Sequence, residues 1–216
     1  MKTIILDFDG TIADTRNSII QTIQATLKDL NIPKVDDSSI GKLIGLPLKE
    51  TFIQACHLTE EDVLQKATKL YRDKYNQISL DTVKLFPHVK EVLKELHNKG
   101  AIITVASSKG KEALLALLDR LEIAQYIKFI VGEQDVENKK PAPDMALLIL
   151  KQTKSISQET LVVGDTIYDI EMGQEAHCIT CGVTYGNNTI EQLKEKKPDY
   201  IVDDFTAIIN IFEREN

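Results

Sequence analysis

The chain has 216 residues, 43% of them apolar and 27% charged, the composition of a globular protein able to bury a core without disulfides or structural metal. Its 26 basic and 33 acidic residues leave a net charge of −7, which argues against a nucleic-acid partner but not against an anionic substrate held by a local patch. No run approaches the roughly 20 apolar residues of a membrane span, the apolar stretch after Lys2 is too short for a signal peptide, and three cysteines do not make a disulfide framework, so a cytoplasmic protein without a membrane partner is expected.

In chain order, a first strand is expected at 3–8, ending in Asp7-Phe8-Asp9-Gly10-Thr11. Carboxylates at i and i+2 leave a strand on the same side and repel each other, which is unusual directly after four apolar or small residues; the ordinary alternative is a strand running into an Asp-Gly turn. Residues 16–82 carry helical periodicity and no convincing strand. Ile19, Ile20, Ile23 and Leu27 form one stripe and Val63, Leu64, Ala67, Leu70 and Tyr71 another, with Pro33, Gly41, Gly45 and Pro47 as punctuation. This stretch reads as a helical insertion. A helix at 87–99 stops at Gly100, and a strand at 101–106 runs into Ser107-Ser108-Lys109. The hydroxyls and amides there suit phosphate oxygens, or simply a polar turn.

A helix at 110–121 and a strand at 128–131 lead to Lys139-Lys140-Pro141-Ala142-Pro143-Asp144, where two prolines fix the backbone and aim the Lys140 ammonium; adjacent lysines are otherwise a solvated loop. A helix at 144–153 precedes a strand at 160–163 that ends in Gly164-Asp165, with Asp169 one helical turn further on. Asp165 is also a natural helix N-cap. Helices at 167–176, 189–197 and 204–214 alternate with strands at 178–183 and 200–202. Unbroken apolar runs alternating with helices predict an α/β fold with a parallel sheet covered on both faces.

Ligands of such sheets bind beyond the carboxyl ends of the strands. Asp7, Ser107 and Asp165 all belong to such ends. The acids Asp7, Asp9, Asp165 and Asp169 offer hard oxygen ligands for a cation, most naturally Mg²⁺. A carboxylate, a second acid, a hydroxyl and an ammonium are the groups that phosphoryl transfer to a carboxylate needs. An unperturbed Asp7 is already ionised at pH 7, and Mg²⁺ with Lys140 would let it approach a phosphate dianion.

On these residues the chain resembles the haloacid dehalogenase-like hydrolase superfamily, and within it the phosphoglycolate phosphatase-like subgroup. The four motifs stand in order: Asp7-Phe8-Asp9-Gly10-Thr11, Ser107, Lys140-Pro141, and Gly164-Asp165 with Asp169. The resemblance implies a Rossmann-like parallel-sheet core at 1–15 and 83–216 with an inserted helical cap at 16–82. Ile44-Gly45-Leu46-Pro47-Leu48 resembles a cap segment near the substrate, and Leu85-Phe86-Pro87 the return to the core. It makes Asp7 the nucleophile and Asp9 the acid–base. Gly10, Thr11, Ser107, Ser108 and Lys140 would hold the phosphoryl group, and Asp7, the Asp9 carbonyl, Asp165 and Asp169 the Mg²⁺. An acid at Asp9 favours phosphate over carbon–halogen chemistry.

The activity so implied is Mg²⁺-dependent hydrolysis of a small phosphorylated metabolite, phosphoglycolate first, through an aspartyl-phosphate. An inorganic pyrophosphatase, a β-phosphoglucomutase-like enzyme and a non-catalytic phosphate-binding or signalling protein are the alternatives. Mutase-like relatives carry a His shortly after the first motif, whereas Thr15-Arg16-Asn17-Ser18-Ile19-Ile20 has none. The chain departs from the subgroup at Ser108, where Asn is frequent, and at His177, where Gly is. His177-Cys178-Ile179-Thr180-Cys181 lacks a second ligand pair and reads as buried strand, Cys56-His57 as helix packing and a helix end. Arg72 is suited to a substrate carboxylate or is an exposed helical arginine.

Overall fold

The computed structural model describes residues 2–214. The chain runs β1 (Thr3–Leu6), β2 (Ala13–Asp14), α1 (Arg16–Asp29), α2 (Asp37–Gly41), α3 (Leu48–Cys56), α4 (Glu61–Thr82), β3 (Lys84–Leu85), α5 (Val89–Asn98), β4 (Ile102–Ala106), α6 (Lys111–Arg120), β5 (Phe129–Val131), α7 (Asp144–Thr153), β6 (Thr160–Gly164), α8 (Ile167–Glu175), β7 (Ile179–Val183), α9 (Ile190–Glu195), β8 (Tyr200–Val202) and α10 (Ala207–Arg214). Every strand expected from the sequence is present. Six of them form one sheet in the order β5-β4-β1-β6-β7-β8, with all pairs parallel.

The unbroken apolar character of β1 and β6 follows from their place: every residue of both is buried. From β1 the chain builds outward through β4 to β5, then returns to the other side of β1 and builds outward again. The order therefore reverses at β1, which makes its carboxyl end the natural crevice. Register aligns Leu6 with Val105 on one side and Val163 on the other. The next residues on all three strands, Asp7, Ala106-Ser107 and Gly164-Asp165, therefore emerge at one edge.

Residues 16–82 contain helices α1 to α4, as their periodicity predicted. Ile19, Ile23 and Leu27 of α1 are buried, as are Leu64, Ala67, Tyr71 and Tyr75 of α4. Ile20, Val63 and Leu70, expected in the same stripes, are only half-buried. Tyr71 stacks on Tyr75 with ring centroids 5.4 Å apart, and Phe52 of α3 meets Tyr71 edge-on at 6.3 Å. The insertion leaves and rejoins the sheet through a two-stranded stem, Ala13 opposite Leu85 and Asp14 opposite Lys84. Pairs this short carry no periodicity, and the sequence did not reveal them. Gly100 ends α5 at φ +84°, as expected of its type. The last helix starts at Ala207, three residues later than expected, because Asp204 caps a turn by accepting from the Thr206 amide. Among the described residues no helix is long and apolar enough to cross a membrane.

Candidate active site

Asp7 leaves β1 with its amide bonded to the Val163 carbonyl at 2.9 Å, which pins it against β6. Lys140, 133 residues away in sequence, reaches it through the core. Its Nζ donates to Asp7 Oδ1 at 2.7 Å, Asp169 Oδ1 at 2.6 Å and the Ala106 carbonyl at 2.8 Å. The solvated-loop alternative for Lys140 is thereby replaced: the side chain is buried among acids. Asp169 Oδ2 accepts from the amide and hydroxyl of Thr166, at 3.0 and 2.7 Å, at the start of α8. Thr166, not Asp165, is thus the N-cap. Asp165 turns the other way. Its Oδ1 accepts from the Thr11 hydroxyl at 2.9 Å, and its Oδ2 from the Asn187 amide and Nδ2 at 2.6 and 2.9 Å.

Two glycines permit this density. Gly10 has φ +94°, and a Cβ there would stand 2.3 Å from Asp165 Oδ2; a Cβ on Gly164 would stand 2.1 Å from that of Asp169. Neither contact is tolerable.

Carboxylate oxygens of Asp7, Asp165 and Asp169 lie within 4.8 Å of one another, all three side chains buried. Two of them pair with one buried ammonium, so the three acids keep two negative charges in excess, the charge of one divalent cation. The excess shows in the acidities. Burial pushes the Asp7 carboxyl well above the usual carboxylate range despite the pull of Lys140, with Asp169, Asp165 and Asp9 adding to the rise. Burial and then Asp169 push Asp165 up to about 7, against its hydrogen bonds. Lys140 stays charged, because Asp169 and Asp7 outweigh the opposing effect of burial. The anionic form of Asp7 is thus favoured by any positive charge placed beside it, Lys140 among them. An all-oxygen donor set with surplus negative charge fits Mg²⁺.

Asp7, Asp9, Ser107 and Ser108 line a cavity between the sheet edge and the helical insertion. The Ser107 amide is tied to the Val131 carbonyl, and the Ser107 hydroxyl accepts from the Lys109 amide at 3.2 Å. Ser108 donates its hydroxyl across the cavity to the Gly45 carbonyl at 2.7 Å. Asp9 Oδ1 is paired with Lys109 Nζ at 3.1 Å, out of hydrogen-bond alignment, and the same ammonium lies 4.1 Å from the centre of the Tyr75 ring. Gly10 and Thr11 are buried beside Asp165, so of the residues expected at the phosphoryl group these two sit on the acid side of the site.

The family profile of haloacid dehalogenase-like hydrolases matches residues 4–183. The chain belongs to that family. This hydrolase is 34% identical to "Probable phosphatase IndB" of Dickeya dadantii, over 95% of its own length and 91% of that protein. It is 26% identical to the phosphoglycolate phosphatase of Salmonella typhimurium, over 97% of its length and 91% of the relative. A haloacid dehalogenase-like hydrolase from Bacteroides fragilis superimposes with a TM-score of 0.91 at 26% identity, covering 96% of this chain and 99% of that one. The subgroup resemblance read from the motifs is borne out, and the chain is a phosphatase of this family type.

Three residues of the hydrolase's site had no signal in the sequence. Asn187 contacts Asp165 and, at 3.4 Å, the Asp9 carbonyl. Arg16 Nη1 donates to Asn187 Oδ1 at 3.1 Å and to the Gly41 carbonyl at 3.2 Å. Lys109 was read only as part of a polar turn. Arg72 is half-exposed on α4, lines the cavity and pairs with Glu133 at 2.5 Å. The three cysteines are buried and unpaired. Burial pushes the Cys56 thiol up to about 11 and those of Cys178 and Cys181 up to about 12, as suits packing residues. His177 takes φ +57°, a conformation glycine adopts freely.

Proposed function

We propose that this hydrolase is a Mg²⁺-dependent phosphatase acting on a small phosphomonoester through an aspartyl-phosphate on Asp7. One observation carries the reading: Asp7, Asp165 and Asp169 converge within 4.8 Å at the sheet's switch point, with Lys140 bridging Asp7 and Asp169. Mg²⁺, held by the carboxylates of Asp7, Asp165 and Asp169 and the Asp9 carbonyl, would supply charge neutralisation for a phosphate dianion.

The chain's own groups carry the steps. Asp7 attacks phosphorus, and the bond from phosphorus to the ester oxygen breaks. The departing alkoxide takes a proton from the Asp9 carboxyl. Asp9, now anionic, removes a proton from water, whose oxygen attacks phosphorus. The bond to Asp7 breaks and inorganic phosphate leaves. Lys140 and the Ser107 hydroxyl, with the amide of Ser108, hold phosphoryl oxygens as they spread charge. The helices of residues 16–82 form a cap that excludes water and contacts the leaving group.

Hydrolysis is favoured over isomerisation because residues 15–20 contain no His to withhold Asp9 from water. Phosphate release from a panel of phosphomonoesters is expected with Mg²⁺, to stop with EDTA and to return on adding Mg²⁺ back. Equal rates in metal-free buffer would refute the metal assignment, and no release from any ester would refute the phosphatase.

A further inference from the structure

The cavity above Asp7 measures about 120 Å³, room for a small phosphomonoester and not for a large one. Its wall is uneven. On the side of the insertion, Ile19, Ile23, Ile44, Leu46 and Leu48 present aliphatic surface, and Tyr71 and Tyr75 close the end. Two cationic side chains lie on the wall, and both are engaged. Arg72 is paired with Glu133 at 2.5 Å, and Lys109 with Asp9 at 3.1 Å beneath the Tyr75 ring. Glu112 adds a further negative charge to the lining.

A second anionic group on a substrate has to displace one of these ion pairs or rest on the uncharged polar groups of Thr51, Asn76, Ser108 and Gln134 with no free cation beside it, and either costs desolvation free energy. An uncharged body meets the aliphatic wall without either cost. We infer that the leaving group is an uncharged alcohol with an apolar body. This rests on the phosphatase reading of the same site and narrows it, away from phosphoglycolate and pyrophosphate, whose departing parts carry charge.

The test measures kcat/KM by phosphate release, with Mg²⁺, for ethyl, propyl and butyl phosphate beside phosphoglycolate and pyrophosphate. The alkyl alcohols and glycolate are leaving groups of similar basicity, so the comparison isolates the pocket. The expected gain is about fourfold per added methylene, with butyl phosphate at least about tenfold above phosphoglycolate. Leu46→Lys places an unpaired cation on the half-buried loop wall and is expected to shift the butyl-to-phosphoglycolate ratio at least about tenfold toward phosphoglycolate. A flat alkyl series, or preference of the unmodified enzyme for phosphoglycolate over butyl phosphate, would overturn the inference while leaving the phosphatase standing. No turnover of these five compounds with release from another ester of the panel would overturn this inference alone, and no release from any ester would overturn the phosphatase reading as well.

Discussion

In the proposed mechanism Asp7 is the residue on which the chemistry turns, and its surroundings make an unusual prediction about its replacement. Its carboxyl is buried beside Asp165 and Asp169, and the ammonium of Lys140 does not offset the burial, so its acidity is weakened. Asn keeps the shape and removes the charge. Asp7→Asn should lower phosphate release by about a thousandfold or more, because the attacking electron pair is gone. The same change should leave the melting temperature in metal-free buffer equal or higher, since it removes like-charge repulsion from a buried cluster. A residual rate within tenfold of the unmodified enzyme would exclude Asp7 as nucleophile. A sharp fall in melting temperature would mean that the Lys140–Asp7 pair is a net support of the fold.

At the scale of elements, the insertion is tied to the sheet edge by a few specific contacts. Arg16, the first residue of α1, bridges the Gly41 carbonyl in α2 and Asn187 in the loop after β7. Asn187 in turn contacts Asp165 and the Asp9 carbonyl. Position of the helices and geometry of the acids are thus mechanically linked. Arg16→Ala removes both bonds and is expected to cost about 1–2 kcal/mol of stability and to speed proteolytic cleavage between α1 and α3. Gly41→Ala should mimic it, because a Cβ there would stand 2.1 Å from Arg16 Nη2 and push the guanidinium aside. Unchanged digestion patterns in both variants would show that this bridge does not hold the insertion down.

None of that bridge was legible in the sequence, for a physical reason. Arg16 and Asn187 are 171 residues apart, and neither stands in a pattern of its own. The strands were legible because burial on both faces forces unbroken apolar runs, as in Ile4-Ile5-Leu6 and Leu161-Val162-Val163. The acids were legible because charge directly after such a run has to be explained. Lys140 was legible through its prolines, but its dual contact to Asp7 and Asp169 was not. Lys109 was hidden for the same reason as Arg16: its partners, Asp9 and Tyr75, come from two distant segments.

The molecule as a whole is an α/β sheet carrying a helical insertion on a stem two residues wide. The stem decides how that architecture can be tested. Asp14 and Lys84 are opposite each other in an antiparallel pair, so the chain leaving the sheet and the chain returning to it are within one strand spacing, about 5 Å. A two-residue Asn-Gly turn suffices to join them, as in a β-hairpin. Replacing 15–83 by such a turn is expected to leave a folded protein, because one face of the six-stranded sheet keeps a buried layer to which the insertion contributes nothing, Ile5, Val131, Met145 and Ile149 among it. That protein should still bind Mg²⁺, measured by titration calorimetry, since Asp7, Asp9, Asp165 and Asp169 all remain. It should lose most of its rate and its discrimination among alkyl phosphates, because the aliphatic wall at Ile19, Ile23, Ile44, Leu46 and Leu48 goes with the insertion. A truncated chain that melts without cooperativity would mean that the helices are part of the core and not a cap upon it. One that keeps the chain-length preference of the full enzyme would place the specificity wall in the sheet domain.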